Sequence, residues 1–305
     1  MISHNDSLHD VCVVGAGFMG RQIALQCAVY ERSVKMCDIS ESALRLCEKE
    51  QASLLEEQIK AGIVSAERYQ EILDRIHLTT SLEEAAADAD LVIEAIKEDL
   101  EVKRDLFRAL DKICPTNTIL ATNSSSLRVS RIETATSRPD RLLNTHFVQP
   151  IWKHPFVELM RGTATSDKTL EAVRQFSQSI SVVPILVRRE STGFIFARIW
   201  RAVKKESLLL VDQGIATPED VDRTWMIQME TPMGPFGLMD IIGLDVVRDI
   251  ENVYYEESGD PSDAPPKLLA DKIEKGELGV KTGKGFYIYP DPQYKQPSFL
   301  LEASP

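Results

Sequence analysis

The stretch NTHFVQPIWKHPFVELM, residues 144 to 160, holds two histidines eight residues apart and one glutamate. His146, His154 and Glu158 are the residue types of a proton-transfer site. Imidazole exchanges a proton near neutral pH, and a carboxylate can orient it. Pro150 and Pro155 interrupt the stretch, and a residue before proline is pushed away from helical geometry. His154 directly precedes Pro155, which makes it a poor i,i+4 partner for Glu158. Suppose instead that LLNTHFV and FVELM are strands joined by a loop centred near Trp152. Antiparallel pairing then sets 146 opposite 158, since each lies six residues from that centre. Facing residues in such a pair have Cβ atoms roughly 5 Å apart. The spacing predicts a His146–Glu158 dyad in which Glu158 fixes the tautomer and His146 exchanges the proton. Trp152 and His154 are expected to line the loop. A histidine near a strand end is more often a surface or satisfied core residue, so the dyad needs a context.

The preceding sequence supplies one. DVCVVGAG reads as a buried strand ending in glycine, and FMGRQIALQCAVY follows with helical spacing. SVKMCDI is a second strand. SESALRLCEKEQASLLEEQIKAG is a long amphipathic helix with Ser40 as N-cap and Gly62 as its stop. DADLVIEAI, TILATNSSS and RLLNTHFVQP read as further strands, with LEVKRDLFRALDKIC a helix among them. Alternation of this kind predicts an α/β fold with a Rossmann-type, doubly wound parallel sheet. Ligands of such sheets bind outside the carboxyl ends of the strands. Gly15 to Gly20, Asp38, Glu98, Asn123 to Ser126 and His146 all follow predicted strands.

GAGFMG, Gly15 to Gly20, is a GxGxxG in the right place, after a strand and opening a helix. Gly15 permits the turn, Gly17 lets backbone approach a pyrophosphate, and Gly20 lets helix pack on strand. Phe18 and Met19, between Gly17 and Gly20, are expected to bind the cofactor with them. Asp38 ends the second strand eighteen residues after Gly20. A carboxylate there binds ribose hydroxyls and repels a 2′-phosphate, which favours NAD over NADP.

A net charge of −12 argues against a nucleic-acid surface or an anionic membrane patch. The polar start, MISHNDSLHD, has no apolar core of a signal peptide, and no apolar run approaches membrane-spanning length. The five cysteines, 12, 27, 37, 47 and 114, sit singly without a CxxC. The expectation is a cytoplasmic protein with reduced thiols and no metal site.

The chain resembles the L-3-hydroxyacyl-CoA dehydrogenases of the 3-hydroxybutyryl-CoA dehydrogenase type nearly end to end. The resemblance runs through VCVVGAGFMG, LVIEAIKEDLEVKRDLF, ATNSSSL, THF…P…VEL, ESTGFI, TPMGPFGLMDIIGLDV and GVKTGKGFYIY. It implies His146 as catalytic base, Glu158 as its orienting carboxylate, and Ser125 bound to the reacting oxygen near the nicotinamide. It implies that Asp38, Ala95, Glu98, Lys103 and Asn123 hold NAD.

Two departures concern substrate. The family motif reads like PGFIxNR, whereas this chain has TGFIFAR, with Ala197 for an asparagine that contacts substrate. Gln149 replaces another asparagine and conserves the amide. A lost bond to a transition-state oxygen costs about 3 kcal/mol, roughly a hundredfold in rate. Family members place CoA phosphates near the long helix after the second strand. There Lys60, with Arg45, is the basic candidate amid several glutamates, and Glu56–Lys60 also suits a solvated helix face. The substrate is expected to be a CoA thioester. An acyl-carrier-protein thioester, a free hydroxy acid as in gulonate dehydrogenases, and a non-catalytic NAD-binding structural role stand as alternatives.

The boundary between domains is expected near residue 190, with 1–190 binding NAD and 191–305 mostly helical. The second domain begins with a helix over 190–214 capped by Ser191 or Thr192, then a helix with Thr217 as N-cap and Pro218 at its first position. MDIIGLDVVRDIENVYYEE reads as one helix, LLADKIEKG as the last, and GFYIY as a strand. Surplus apolar helix faces, and the family resemblance, imply a homodimer formed through this domain.

Overall fold

Short apolar runs closed by glycine, charge or small polar residues become the strands of one sheet. In the computed structural model, which describes residues 8–301, these are β1 (Asp10–Val14), β2 (Ser33–Cys37), β3 (Ile76–Thr79), β4 (Leu91–Glu94), β5 (Ile119–Thr122), β6 (Leu142–Phe147), β7 (Phe156–Arg161) and β8 (Val183–Val187). Their order across the sheet is β3-β2-β1-β4-β5-β6-β7-β8. Strands β1 to β6 pair in parallel, β7 runs antiparallel to β6, and β8 pairs parallel to β7. The doubly wound sheet expected from the alternation is present. The central strands β4 and β5 are buried along their whole length, as parallel strands covered on both faces must be.

Helices α1 (Phe18–Val29), α2 (Glu41–Lys60), α3 (Tyr69–Asp74), α4 (Leu82–Ala86), α5 (Leu100–Ile113) and α6 (Asp167–Ser179) flank the sheet. Ser40 caps α2, its hydroxyl accepting from the Ala43 amide at 3.2 Å, and Gly62 takes φ +73° just after the helix ends. Most buried side chains on the sheet and its helices fall into two cores. One gathers Ile23, Leu25, Leu55, Ile72 and Ile93, and the other Val92, Phe107, Leu110 and Leu120. Alternate residues of β4 thus feed opposite cores, the period of two expected of a strand. All five cysteines are buried and free, and burial pushes the Cys27 thiol up to about 12.

The chain divides into two compact units, Met1–Ile195 and Phe196–Pro305. The second contains α7 (Phe196–Asp212), α8 (Pro218–Met229), α9 (Pro235–Ile242), α10 (Leu244–Ser258) and α11 (Lys267–Glu274). Thr217 caps α8 through the Asp220 amide, with Pro218 in the first turn. Three expectations for this region need correction. The helix expected from residue 190 starts at Phe196, because Gly193 and Phe194 hold left-handed φ values of +74° and +52° and turn the backbone first. Ser191 and Thr192 therefore stand five and four residues before the first residue of α7. The single helix expected over 239–257 is two helices, broken at Gly243 with φ +99°. GFYIY forms only an isolated bridge, Lys284 with Ile288. Among the described residues no helix is long and apolar enough to cross a membrane.

Candidate active site

The antiparallel β6/β7 register sets Asn144 against Met160, His146 against Glu158 and Phe147 against Val157. Facing side chains on one sheet surface can meet, and these do: His146 Nδ1 lies 2.9 Å from Glu158 Oε2. Glu158 is 1% exposed, and its other oxygen accepts the Ile195 amide at 2.8 Å. A buried carboxylate is tolerated only when its oxygens are met, and here an imidazole and a backbone amide meet one each. The His146 ring stacks on Phe194, centroids 4.6 Å apart at 24°. The left-handed turn at Gly193–Phe194 thus delivers both the ring that covers His146 and the amide that holds Glu158. Neither Phe194 nor Ile195 was expected from the sequence. The signal was the STGFI segment itself, read there as a helix cap. His154 is exposed on the turn after Pro150, where its amide donates to the Pro150 carbonyl at 2.9 Å.

The residues of the first βα turn form a cradle whose dimensions exclude side chains. A Cβ on Gly15 would stand 2.5 Å from the Ala95 carbonyl oxygen, and one on Gly20 1.9 Å from that of Gly15. At Gly17 the space is open. No side chain caps the N-terminus of α1, so its first amides stay available to a phosphate. The Asp38 carboxylate, half-buried, bridges the turn to the second strand. Its oxygens accept from the Ala16 amide at 2.8 Å and the Ser40 amide at 2.9 Å. Gly15, Gly17, Asp38, Ala95, Ile96 and Lys97 line a cleft of about 410 Å³ at the carboxyl ends of β1, β2 and β4. This donor set and shape fit an adenine dinucleotide. Phe18 is exposed at the first position of α1 and Met19 packs toward the core.

Beneath the cleft lies a buried polar network. Lys103, 1% exposed, bridges Glu94 at 2.5 Å and Glu98 at 3.3 Å. Glu94 also accepts from the Thr122 hydroxyl at 2.6 Å and from the Ile96 amide at 2.8 Å. Lys103 therefore reaches the site through the carboxylates it holds. Glu94 was missed from the sequence, where it reads as the end of LVIE. A charge ending an otherwise apolar central strand was the available signal. Glu98 gathers the NSSS segment, accepting from the Ser124 hydroxyl, from the Ser126 hydroxyl at 2.7 Å and amide at 3.1 Å, and from the Leu127 amide at 3.2 Å. Desolvation opposes its charge, but those bonds and the Lys103 ammonium outweigh it and hold the carboxyl below the usual range. Asn123 accepts the Phe147 amide at 2.9 Å, tying the end of β5 to the residue after His146. Ser125 is exposed between these anchored neighbours, and among the described residues its hydroxyl has no protein partner.

Gln149 is exposed just past β6. Lys60 is 77% exposed at the end of α2, 4.0 Å from Glu56, and Arg45 pairs with Glu41 at 3.2 Å. Ala197 is half-buried in the first turn of α7.

Residues 10–191 match the family model for the 3-hydroxyacyl-CoA dehydrogenase NAD binding domain, and residues 193–289 that for the C-terminal domain. The chain is 37% identical over 279 residues to a 3-hydroxybutyryl-CoA dehydrogenase of Clostridioides difficile, covering 92% of this chain and 99% of that one. It superposes with a TM-score of 0.87, at 36% identity, on the crystal structure of an (S)-3-hydroxybutyryl-CoA dehydrogenase from Ralstonia eutropha, covering 93% of this chain and 100% of the other. A diketoreductase structure described as acting on dicarbonyl compounds is similar at a TM-score of 0.83 and 35% identity, covering 93% and 99%.

Proposed function

The chain belongs to the 3-hydroxyacyl-CoA dehydrogenase family and is an NAD-dependent oxidoreductase, and from that premise we propose that it interconverts a 3-hydroxyacyl thioester and its 3-oxo form with His146 as the proton-transfer group. The observation that carries the proposal is the His146–Glu158 contact of 2.9 Å, with Glu158 buried and held from its far side by the Ile195 amide. A carboxylate on Nδ1 keeps the proton there, so Nε2 presents its lone pair as a base. Bound NAD supplies the acceptor for the hydrogen and electron pair leaving C3. His146 takes the hydroxyl proton as the C–O bond becomes a carbonyl, and Glu158 stabilises the imidazolium that results. In reduction the imidazolium returns the proton to the developing alkoxide. Ser125 donates to that oxygen. Gly15, Gly17, Gly20 and Asp38 hold the dinucleotide, with Ala95 in the cleft wall. Glu98, Lys103 and Asn123 fix the strand ends around it. The decisive assay is NADH consumption with acetoacetyl-CoA, and absence of turnover despite tight NAD binding would overturn the reading.

A second reading, a dehydrogenase of a free acid or carrier-protein-linked group, draws support from two observations. Lys60 is solvated and lies 4.0 Å from the Glu56 carboxylate, whose charge opposes a phosphate there. The similar diketoreductase acts on dicarbonyl compounds. Ala197 offers no side-chain donor, so under either reading the contact that asparagine makes in relatives passes to another group. We assign a homodimer interface to the second unit, where Ile199, Ile215, Ile227 and Met229 are large apolar side chains left exposed. Sedimentation at micromolar concentration tests it, with a monomer as the refuting result.

A further inference from the structure

We propose that Asn144 is a positioning residue: its side-chain amide holds the backbone around Ser125 in register with His146, so that both side chains meet the same substrate oxygen. The inference rests on the dehydrogenase reading and names a residue that acts through Ser125 without touching substrate. Asn144 lies two residues before His146, and a strand repeats every two residues, so both side chains leave β6 on one face. In the sheet register Asn144 stands beside Thr122 of β5, and Thr122 beside Glu94 of β4. All three are fully buried. They form a polar row across three strands, and Glu94 and Thr122 are the last residues of theirs.

The row carries the arch Ser124–Leu127, on which Ser125 stands exposed. Thr122 Oγ1 accepts the Ser124 amide at 3.2 Å. Asn144 Nδ2 donates to the Ser124 carbonyl at 3.3 Å and to the Leu127 carbonyl at 3.5 Å. The Ser124 carbonyl belongs to the peptide group that leads into Ser125. The two contacts therefore bracket Ser125, and both come from the strand that carries His146. Glu98 holds the same arch, but from the connection between β4 and α5. Asn123 ties the base of the arch to the Phe147 amide, and Asn144 ties its two shoulders.

Packing alone does not explain an asparagine here. Both of its partners are carbonyl oxygens, which only accept, so the NH2 faces them and Oδ1 faces away. Oδ1 is buried and meets no donor among the described residues. Across the hairpin stands buried Met160. A half-met buried amide beside an apolar neighbour is a worse core than an apolar side chain. What the asparagine supplies is the place of the arch, and a displacement of about 1 Å at a reacting group costs on the order of a hundredfold in rate.

A double-mutant cycle on acetoacetyl-CoA reduction by NADH tests this, with the parent, Asn144→Leu, Ser125→Ala and the double variant. The expected result is a fall in kcat of about tenfold for Asn144→Leu, and of less than about threefold where Ser125 is already alanine. A residue that only fills the core would lower kcat by the same factor in both backgrounds. A fall of about threefold or more in the Ser125→Ala background, or of less than about threefold in the parent background, overturns the proposal. So does a loss carried by KM for NADH in place of kcat. Asn144→Ala enters the same cycle if Asn144→Leu does not fold, and failure of both to fold makes Asn144 a core residue and overturns the proposal. If the parent enzyme does not turn over, the dehydrogenase reading fails separately. Hydrogen exchange of the Ser124, Ser126 and Leu127 amides then decides whether Asn144 holds the arch. Exchange about tenfold faster in the folded variant, confined to those amides, supports it, and unchanged exchange refutes it.

Discussion

Replacing Glu158 with glutamine should lower kcat by about a thousandfold while leaving the protein folded and able to bind NAD. The two oxygens of Glu158 meet two donors, the imidazole Nδ1 at 2.9 Å and the Ile195 amide at 2.8 Å. Glutamine offers one oxygen and one NH2 in the same space. If the NH2 faces the imidazole, Nδ1 must accept, and the ring moves its proton to Nε2, where the base is needed. If the NH2 faces Ile195, two donors oppose each other in a buried site. Either way the negative charge beside the forming imidazolium is gone. Two unit charges about 4 Å apart at an effective dielectric near 20 interact by about 4 kcal/mol. That is roughly three powers of ten in rate, since about 1.4 kcal/mol is tenfold. The assay is kcat for acetoacetyl-CoA reduction at saturating NADH, with NADH affinity and thermal melting measured on the same preparation. A folded Glu158→Gln enzyme within about tenfold of the parent kcat would refute the assignment of Glu158 as the group that orients His146.

Gly20→Ala should abolish NAD binding or prevent folding, because its Cβ would stand 1.9 Å from a backbone oxygen that cannot yield. Calorimetric titration with NAD checks it, and ordinary affinity refutes the cradle. Asp38→Ala should weaken NAD at least tenfold and narrow the preference over NADP, since it removes the ribose acceptor and the repulsive charge together. Comparison of KM for the two cofactors decides this. Ala197→Asn should raise turnover of acetoacetyl-CoA, and an unchanged or lower rate would show that the position does not act as in relatives. The second unit should lose stability as pH rises through about 6. Burial pushes the Asp222 carboxyl up to about 6, against bonds from the Phe236 and Gly237 amides and the Tyr287 hydroxyl. A raised acid favours its neutral form in the fold. Its contribution is complete below the unfolded value near 4 and lost above the folded one, on the order of 2–3 kcal/mol. Calorimetric melting between about pH 4 and 7 measures it, and a flat profile attributable to Asp222 refutes it.

The strands that were legible share one property: they are apolar runs closed by a chemically distinct residue. DVCVV ends in glycine, SVKMC in aspartate, ILAT in polar residues, and each carries its ligand-facing group immediately afterward. β3 lacks that contrast. Its four residues, IHLT, lie at the sheet edge half-exposed, so burial imposes no apolar pattern on them. β8, VPILV, contains Pro184, which lacks an amide and reads as a break. It is tolerated because β8 is the opposite edge, where one side of the strand needs no partner. The sheet's interior was therefore readable and its edges were not, because only interior strands are constrained on both faces.

The same asymmetry governs the candidate site. His146 and Glu158 could be paired from sequence because a strand repeats every two residues and a hairpin has a single centre. Phe194 and Ile195 could not, since they arrive 36 and 37 residues after Glu158 through a left-handed turn. A helix-cap reading of STGFI satisfied every local preference. The left-handed φ of Phe194 is what exchanges that local preference for two distant contacts, the stack on His146 and the amide on Glu158. A non-glycine residue in that region costs on the order of 1–3 kcal/mol and persists where its surroundings over-determine it. The carboxylate explains the demand. Removing the Ile195 amide would leave one oxygen of a 1%-exposed Glu158 without that donor, a loss comparable to the strain it relieves. The turn after β8 is thus shaped by the chemistry of Glu158, and a search confined to local preference reads it as the start of a helix.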